Sequence, residues 1–416
     1  MQLTHLSLTN FRNLSRLELD VPGGVILIVG DNAQGKTSLL EAIYYLAAFS
    51  SFHAGHDRQL VNFQVENEPL VVVRIIAEYR YKIEPSDQKS PGSKKNISGN
   101  HRLEIRLIQE RNGLSEIPSL RKEILLDNVK RKPGEALGSF NAVLFLPQIL
   151  QVIEGAPDER RRYLNIALSQ VVSGYHATLT EYAHVLTQRN ALLKLLAERN
   201  GDIDQLTFWD EQLAVLGARI MYARIRAIQE LDRLSSRAHT QLTRGQETLR
   251  LAYQPSYEPL PPAKSGQYQL LLDAPADRTG IALERIQQGY QERLVKLRAE
   301  EIARGVTTIG PHRDELRFLS NNINLGVYGS RGQTRTAMLS LKLAEISWMK
   351  EKTGQWPVLL LDEVLAELDP TRRADLLSRL GECEQALITT TDLDLFPSGF
   401  VRQDQTWRIQ EGRLAF

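Results

Sequence analysis

The chain has 416 residues, enough for two or three domains around a substantial core, and its 42% hydrophobic and 24% charged content is that of an ordinary soluble globular protein. Its 51 basic and 50 acidic side chains leave a net charge of +1, which excludes a blanket electrostatic grip on nucleic acid, so any such surface has to be local. A single cysteine, Cys383, excludes an internal disulfide and fits a cytoplasmic setting; no apolar run approaches the ~20 residues of a membrane span, and residues 1–6 have no leader character.

Leu3, Leu6 and Leu8, then Leu17 and Leu19, alternate with mostly polar residues and predict two half-buried strands. The turn between them holds Phe11 and Arg12. Either Arg12 reaches an adenine or a phosphate, or the turn closes as a hairpin over a buried Phe11.

Residues 25–29 (VILIV) predict a strand that runs into Gly30, Asp31, Asn32, Ala33, Gln34, Gly35, Lys36, Thr37 and Ser38, with a helix expected over 38–48. Strand, glycine-bounded loop and helix are the setting in which G-x-x-x-x-G-K-[ST] cradles phosphate. Gly30 and Gly35 let successive N–H groups turn inward, and the helix start adds the positive end of its dipole. Lys36 is placed to reach the β- and γ-phosphates, and the Thr37 hydroxyl to ligate Mg²⁺. This assigns a nucleoside triphosphate to the loop.

Further strands are predicted over 71–81, 103–108, 123–126 and 142–146, with an irregular Ser-, Pro-, Gly- and Lys-rich segment over 85–100. Lys130, Arg131 and Lys132 are either a solvated loop or a DNA contact. From Asp158 the pattern is helical for some eighty residues, as two helices joined at Asn200-Gly201. A proline-rich loop over 256–266 and a helix over 282–304 follow. His312 with Asp314 could suggest a metal site, but without a cysteine or second histidine nearby a hydrogen-bonded loop is the better reading. Arg160, Arg161 and Arg162, at a helix start, are either a solvated face or a DNA contact.

The β pattern returns at 316–319, then Ser330, Gly332 and Gln333 stand at the mouth of a helix as a second anion site. Two phosphate cradles in one chain imply that two chains share each nucleotide, with residues 366–369, ending in Asp369, crossing the seam. Residues 358–361 (VLLL) predict a buried strand that delivers Asp362 and Glu363 at its C-terminal end, where ligands of open α/β sheets sit. Asp362 would hold Mg²⁺ beside Thr37, and Glu363 would orient the attacking water. Gly30 and Asp362 lie near opposite ends of the chain, so the helical block has to be an insertion. The expected division is 1–146 and 306–416 for the ATPase lobe and 147–305 for the inserted lobe.

These motifs resemble those of the RecF family of the ATP-binding-cassette class. The resemblance runs from end to end and is carried by residues 8–14 (LTNFRNL), the P-loop, 155–164 (GAPDERRRYL), 188–194 (QRNALLK), 307–314 (TTIGPHRD), 328–333 (YGSRGQ) and 361–369 (LDEVLAELD). It implies an α/β fold: a P-loop ATP-binding-cassette ATPase head with mixed β-sheets and an inserted α-helical lobe. It further implies an ATP-induced homodimer that binds duplex DNA at single-strand gaps or ds–ss junctions, and slow hydrolysis that acts as a release timer. RecR-, RecO- and RecA-like partners and a part in RecA loading and SOS induction follow from the same resemblance. Departures are Arg331 in the signature, Gln148 at the place of the Mg²⁺-contacting Q-loop residue, and Thr391-Asp392 in place of a switch histidine. The rival readings are the energising subunit of a membrane transporter and a P-loop GTPase or kinase; the chain has no Asn-Lys-x-Asp guanine-reading segment.

Overall fold

The computed structural model describes residues 1–81, 99–111, 118–199, 201–260 and 276–415. Residues 85–98 of the expected irregular segment, 261–266 of the proline-rich one, and Asn200 lie outside the described residues. In chain order the elements are β1 (Gln2–Phe11), β2 (Leu14–Asp20), β3 (Gly24–Val29), α1 (Lys36–Ala48), β4 (Leu70–Arg80), β5 (Asn100–Glu110), β6 (Ser119–Leu126), β7 (Val129–Arg131), α2 (Pro133–Ala136) and β8 (Ala142–Phe145). Helices dominate next: α3 (Gln151–Glu154), α4 (Pro157–Val171), α5 (Tyr175–Arg199), α6 (Leu206–Leu242), then β9 (Leu249–Gln254) and α7 (Leu283–Arg304). The chain ends with β10 (Glu315–Ser320), β11 (Ile323–Asn324), α8 (Leu325–Tyr328), α9 (Arg331–Thr353), β12 (Val358–Asp362), α10 (Pro370–Leu380), β13 (Gln385–Thr390), β14 (Thr406–Gln410) and β15 (Arg413–Ala415).

The first compact unit comprises residues 1–149 and 349–416. One of its sheets, in the order β2-β1-β4-β5-β6-β7, is antiparallel throughout. The other runs β15-β14-β3-β13-β12-β8, with only the terminal β14–β15 pair antiparallel. Helix α1 packs against strands of both sheets. Leu39, Leu40, Ala42, Ile43, Tyr45, Leu46 and Ala47 are therefore all buried, as expected of a helix that is apolar nearly all round. The four buried aliphatics of β12 match a strand covered on both faces.

The second unit comprises residues 150–348. Here the sequence-based division is corrected: residues 306–348, the signature included, cluster with the helices and not with the ATPase sheets. The cause is β9, a strand the helical reading passes over. It pairs with β10 from Leu249↔Ser320 to Gln254↔Glu315 and holds that segment in a separate sheet, β11-β10-β9.

Buried charges tie the long helices together. Arg189 of α5 donates to Asp210 of α6 (2.7 Å) and to Thr307 (2.8 Å), and its Nη1 lies 2.7 Å from Glu301 of α7. Arg224 of α6 donates to Asp314 (2.9 Å) and to the Pro311 carbonyl (2.6 Å). Gly310 (φ 125°) bends this loop where a Cβ would lie 2.2 Å from the Tyr290 hydroxyl, so glycine is required there. His312 is a hydrogen-bonded loop residue, 2.7 Å from the Tyr182 hydroxyl and 3.3 Å from the Thr307 carbonyl. No cluster of three or more His, Cys, Asp or Glu able to hold a metal exists among the described residues.

Arg189→Met leaves Glu301 and Asp210, both at most 1% exposed, without one of their cations. Loss of about 3–5 kcal/mol is expected, read as a lowered urea midpoint; an unchanged midpoint would show the triad to be energetically neutral. Burial pushes the His312 imidazole down to about 4 from its ordinary 6.5. Its neutral form therefore contributes stability above pH 6.5 that is lost as the pH falls toward 4, because the unfolded chain takes up the proton first. His312→Asn should flatten that part of the wild-type stability–pH curve, by up to about 3 kcal/mol.

Candidate nucleotide-binding site

Register in the parallel sheet assembles the site. β13 lies between β3 and β12, with Asp362↔Thr389 on one side and Val29↔Thr390 on the other. The three strands thus end together, and the acids arrive beside the loop that follows β3.

That loop is held open by its glycines. A Cβ on Gly30 would lie 2.5 Å from the Ile409 carbonyl oxygen, and Gly35 sits at φ 109° with Ala33 at φ 65°. Lys36 Nζ donates to the carbonyls of Gly30 (2.6 Å) and Asp31 (3.0 Å) and lies 3.1 Å from Glu363 Oε1. Thr37 Oγ1 donates to the Asp362 carboxylate at 2.9 and 3.1 Å. Hydroxyl and carboxylate meeting at one point is an oxygen-only donor set that suits Mg²⁺, which keeps few protein ligands and takes the rest from phosphate and water. Glu363 turns the chain at φ 54°, a left-handed conformation held by the surroundings.

An open cleft of about 630 Å³ is lined by the eight P-loop residues from Asp31 to Ser38, with Arg12, Asn13 and Glu363. Its far wall comes from Arg58, Gln59, Val61, Phe63 and Glu66, which the sequence reading misses. Phe63 is 63% exposed, an aromatic face at the mouth of the cleft with no period to announce it.

Phe11 is buried where the β1–β2 hairpin closes, as the second half of the expected alternative has it, and Arg12 lines the cleft. The Arg12 guanidinium is clamped by Glu41, two bonds of 2.8 Å, and donates to the Gln59 carbonyl at 2.9 Å. Glu41 itself is buried on α1 and accepts from Ser51. Thr389 is a further residue the sequence left unassigned: its hydroxyl donates to Asp362 (2.7 Å) and accepts from the Glu363 N–H (3.1 Å).

Other expected residues lie elsewhere. Gln148 is exposed in a short turn after β8 and does not line the cleft. Asp369 caps α10, accepting from the N–H groups of Thr371 and Arg372. Ser330 and Gln333 cap α9 reciprocally, Gln333 N–H to Ser330 Oγ (3.2 Å) and Ser330 N–H to Gln333 Oε1 (3.1 Å), while Gly332 is exposed beside them. The arginine run is corrected. Arg160 is bound to Glu315 (2.6 and 2.9 Å) and to the Gly155 carbonyl (2.7 Å), and Arg161 to the Asp314 carbonyl (2.8 Å) and Asp158. Acids close in space claim both guanidinium groups, and only Arg162 stays exposed.

The C-terminal hairpin grips the loop from behind. Gly412 N–H donates to the Gln34 carbonyl (3.0 Å) and Glu411 N–H to Gln34 Oε1 (2.6 Å). With that carbonyl turned to the hairpin, a planar trans peptide directs the Gly35 N–H the opposite way.

Sheet order, phosphate loop and strand-end carboxylates define a P-loop ATPase head of the ATP-binding-cassette class. The family description "RecF/RecN/SMC N terminal domain" matches residues 2–410. The chain is 37% identical to the DNA replication and repair protein RecF of Roseiflexus castenholzii, covering all of this chain and 99% of that one. It is 34% identical to RecF of an Exiguobacterium species, with the same coverage. Solved structures of "the recombination mediator protein RecF-ATPrS in RecFOR pathway" and of its RecF-ATP form match with TM-scores of 0.77 at 32% and 30% identity. They cover 99% and 100% of this chain, and it covers 97% and 98% of theirs. The chain belongs to the RecF family. That membership displaces the transporter-subunit and GTPase readings, and no helix among the described residues is long and apolar enough to cross a membrane.

Gly412 (φ 73°) has no room for a side chain: a Cβ would lie 2.6 Å from the Asn13 carbonyl oxygen. Gly399 shares the conformation (φ 77°) with nothing within 4 Å, so it controls for backbone strain. Gly412→Ala should weaken ATP binding by about five- to tenfold, the worth of roughly one hydrogen bond, while Gly399→Ala leaves affinity unchanged. Equal affinities for the two variants, by titration of a fluorescent ATP analogue, would remove the hairpin from the site.

Proposed function

We propose that this chain is an ATP-dependent DNA-binding protein of recombinational repair and replication, closed into a homodimer by ATP and bound to duplex DNA near single-strand gaps or ds–ss junctions. The observation that carries the nucleotide half is the meeting of Thr37 with Asp362, next to the pairing of Lys36 with Glu363. RecF relatives and the RecF-ATP structure support the DNA-repair and ATP halves. The RecFOR pathway of that RecF supports partners of the RecR and RecO kinds, and the family resemblance adds a RecA-like one.

In this reading the P-loop N–H groups and Lys36 hold the β- and γ-phosphates. Thr37 and Asp362 would hold Mg²⁺, which offsets phosphate charge when bound. Glu363 Oε1, 3.1 Å from Lys36 Nζ, is the group a γ-phosphate displaces from the ammonium. The carboxylate then turns to the attacking water, so loading and water activation are coupled through one lysine. Hydrolysis is slow and ends the DNA-bound state. Phe63 offers the base a face on which to stack.

Ser330, Gly332 and Gln333 are assigned to the nucleotide of the partner copy, with Asp369 at the seam. A C₂ dimer then has two composite sites. Lys36→Met and Ser330→Arg homodimers should each lack ATPase activity and ATP-dependent DNA retention. In a mixed dimer both lesions fall in one site, so random mixing should restore up to roughly a quarter of wild-type sites. Mixed dimers that form but recover nothing would place the signature in its own chain's site.

A further inference from the structure

From Leu213 to His239, helix α6 exposes five residues: Arg219, Arg226, Gln229, Arg233 and Arg237. Four of the five are arginines, and none is acidic. The two acids of this stretch are turned into the protein. Glu230 accepts from Trp348 Nε1 at 2.7 Å, and Asp232 accepts from the Leu251 N–H at 2.6 Å and from Arg250 at 3.0 Å.

Spacing makes a line of these arginines. A seven-residue step rotates an α-helix by only about 20°, so Arg219, Arg226 and Arg233 share one face, and Arg237 lies one turn on. At 1.5 Å per residue the line is about 27 Å long, the rise of roughly eight base pairs of duplex. Beside it a cleft of about 520 Å³ takes in Arg226, Arg233 and Arg250, and its exposed acid, Asp277, accepts from Gln229 and Thr279.

We propose that this face of α6 is a docking surface for the sugar–phosphate backbone of duplex DNA; the proposal rests on the DNA-binding reading above and names the surface that performs it. Guanidinium groups pair with phosphate in a bidentate fashion, and a straight helix keeps them at fixed intervals. A protein partner would require an apolar centre to the patch, and the remaining exposed residue is Gln229. A single strand would require open aromatic platforms; Tyr222, the aromatic on this side, lies under the Arg226 guanidinium at 4.9 Å. The contacts carry no base information, so binding through them is sequence-independent.

The test is a titration of the full-length protein, with ATP, against a fluorescent 30-bp duplex at 50 to 200 mM salt. Variant one is the triple Arg219→Ala, Arg226→Ala, Arg237→Ala. Variant two, with the same charge change, is Lys130→Ala, Arg131→Ala, Lys132→Ala in the exposed β7 region. Losing three phosphate contacts lowers the salt slope by about 2.7, so over that fourfold range wild-type affinity should fall about 40-fold more steeply than that of the α6 variant. The β7 variant should keep the wild-type slope. Arg→Lys at the three α6 positions should keep it as well, which separates charge from damage to the helix. Wild-type binding with an unchanged slope in the α6 variant, or a slope lost only in the β7 variant, overturns the proposal. So does a variant that holds duplex normally and loses only poly-glutamate, which would mark an acidic protein as the partner. No duplex binding by the wild type, with or without ATP, instead defeats the DNA-binding reading itself.

Discussion

The site depends on one constraint, the parallel insertion of β13 between β3 and β12. Strands contributed by opposite ends of the chain are held a fixed distance apart by the strand between them. Thr389 on that strand supplies the hydroxyl that binds Asp362 and receives the Glu363 N–H, so a sheet register becomes a side-chain geometry. The same sheet continues through β14 into the hairpin whose turn holds the Gln34 carbonyl. Loop, acids and backing hairpin are therefore positioned by one ladder of backbone hydrogen bonds, and a shift of one residue in any of its strands would separate them.

Charge compensation explains why the cleft can be half buried. Lys36 is nearly covered, yet two loop carbonyls and Glu363 surround its ammonium. Glu41 is covered too, and Arg12 with Ser51 answers it. Isolated ions in such places would cost several kcal/mol each. The partners are unequal in what they leave free. Arg12 is clamped at three of its nitrogens, so it shapes the wall, whereas Lys36 holds carbonyls that need not move when phosphate arrives.

Strands β3, β8 and β12, the P-loop, the strand-end acids and the long helices were legible in the sequence because each rests on a local period or a dense motif. β9 was not, although Leu249, Leu251 and Tyr253 alternate inward, because six residues between a long helix and a proline-rich segment give too little signal against helical surroundings. Missing it moved residues 306–348 into the wrong unit. Arg12 was visible as a cleft residue, but its clamp was not, since Glu41 sits in an apolar helix and its partners are remote in sequence. Phe63 and its neighbours follow no period at all. They reach the cleft because the 57–66 segment is carried there by the end of β1 and the turn after it, where the Asn10 and Arg12 backbone groups bond Asn62 and Leu60.

The arginines show why adjacency in sequence misleads about surfaces. Three consecutive residues on a helix point about 100° apart, so the run at 160–162 cannot form one face, whatever its density of charge. Two of its members meet acids of the same unit, Glu315 and Asp158, and are held there. On α6, Arg219, Arg226 and Arg233 are spaced by seven residues with mostly apolar ones between them, so no two of them are adjacent in sequence. Folding buries most of what separates them and gives Glu230 and Asp232 internal partners. A chain of net charge +1 can thus hold a line of positive charge apart from its short basic runs at 130–132 and 160–162. That is the local patch its composition required of any surface for nucleic acid.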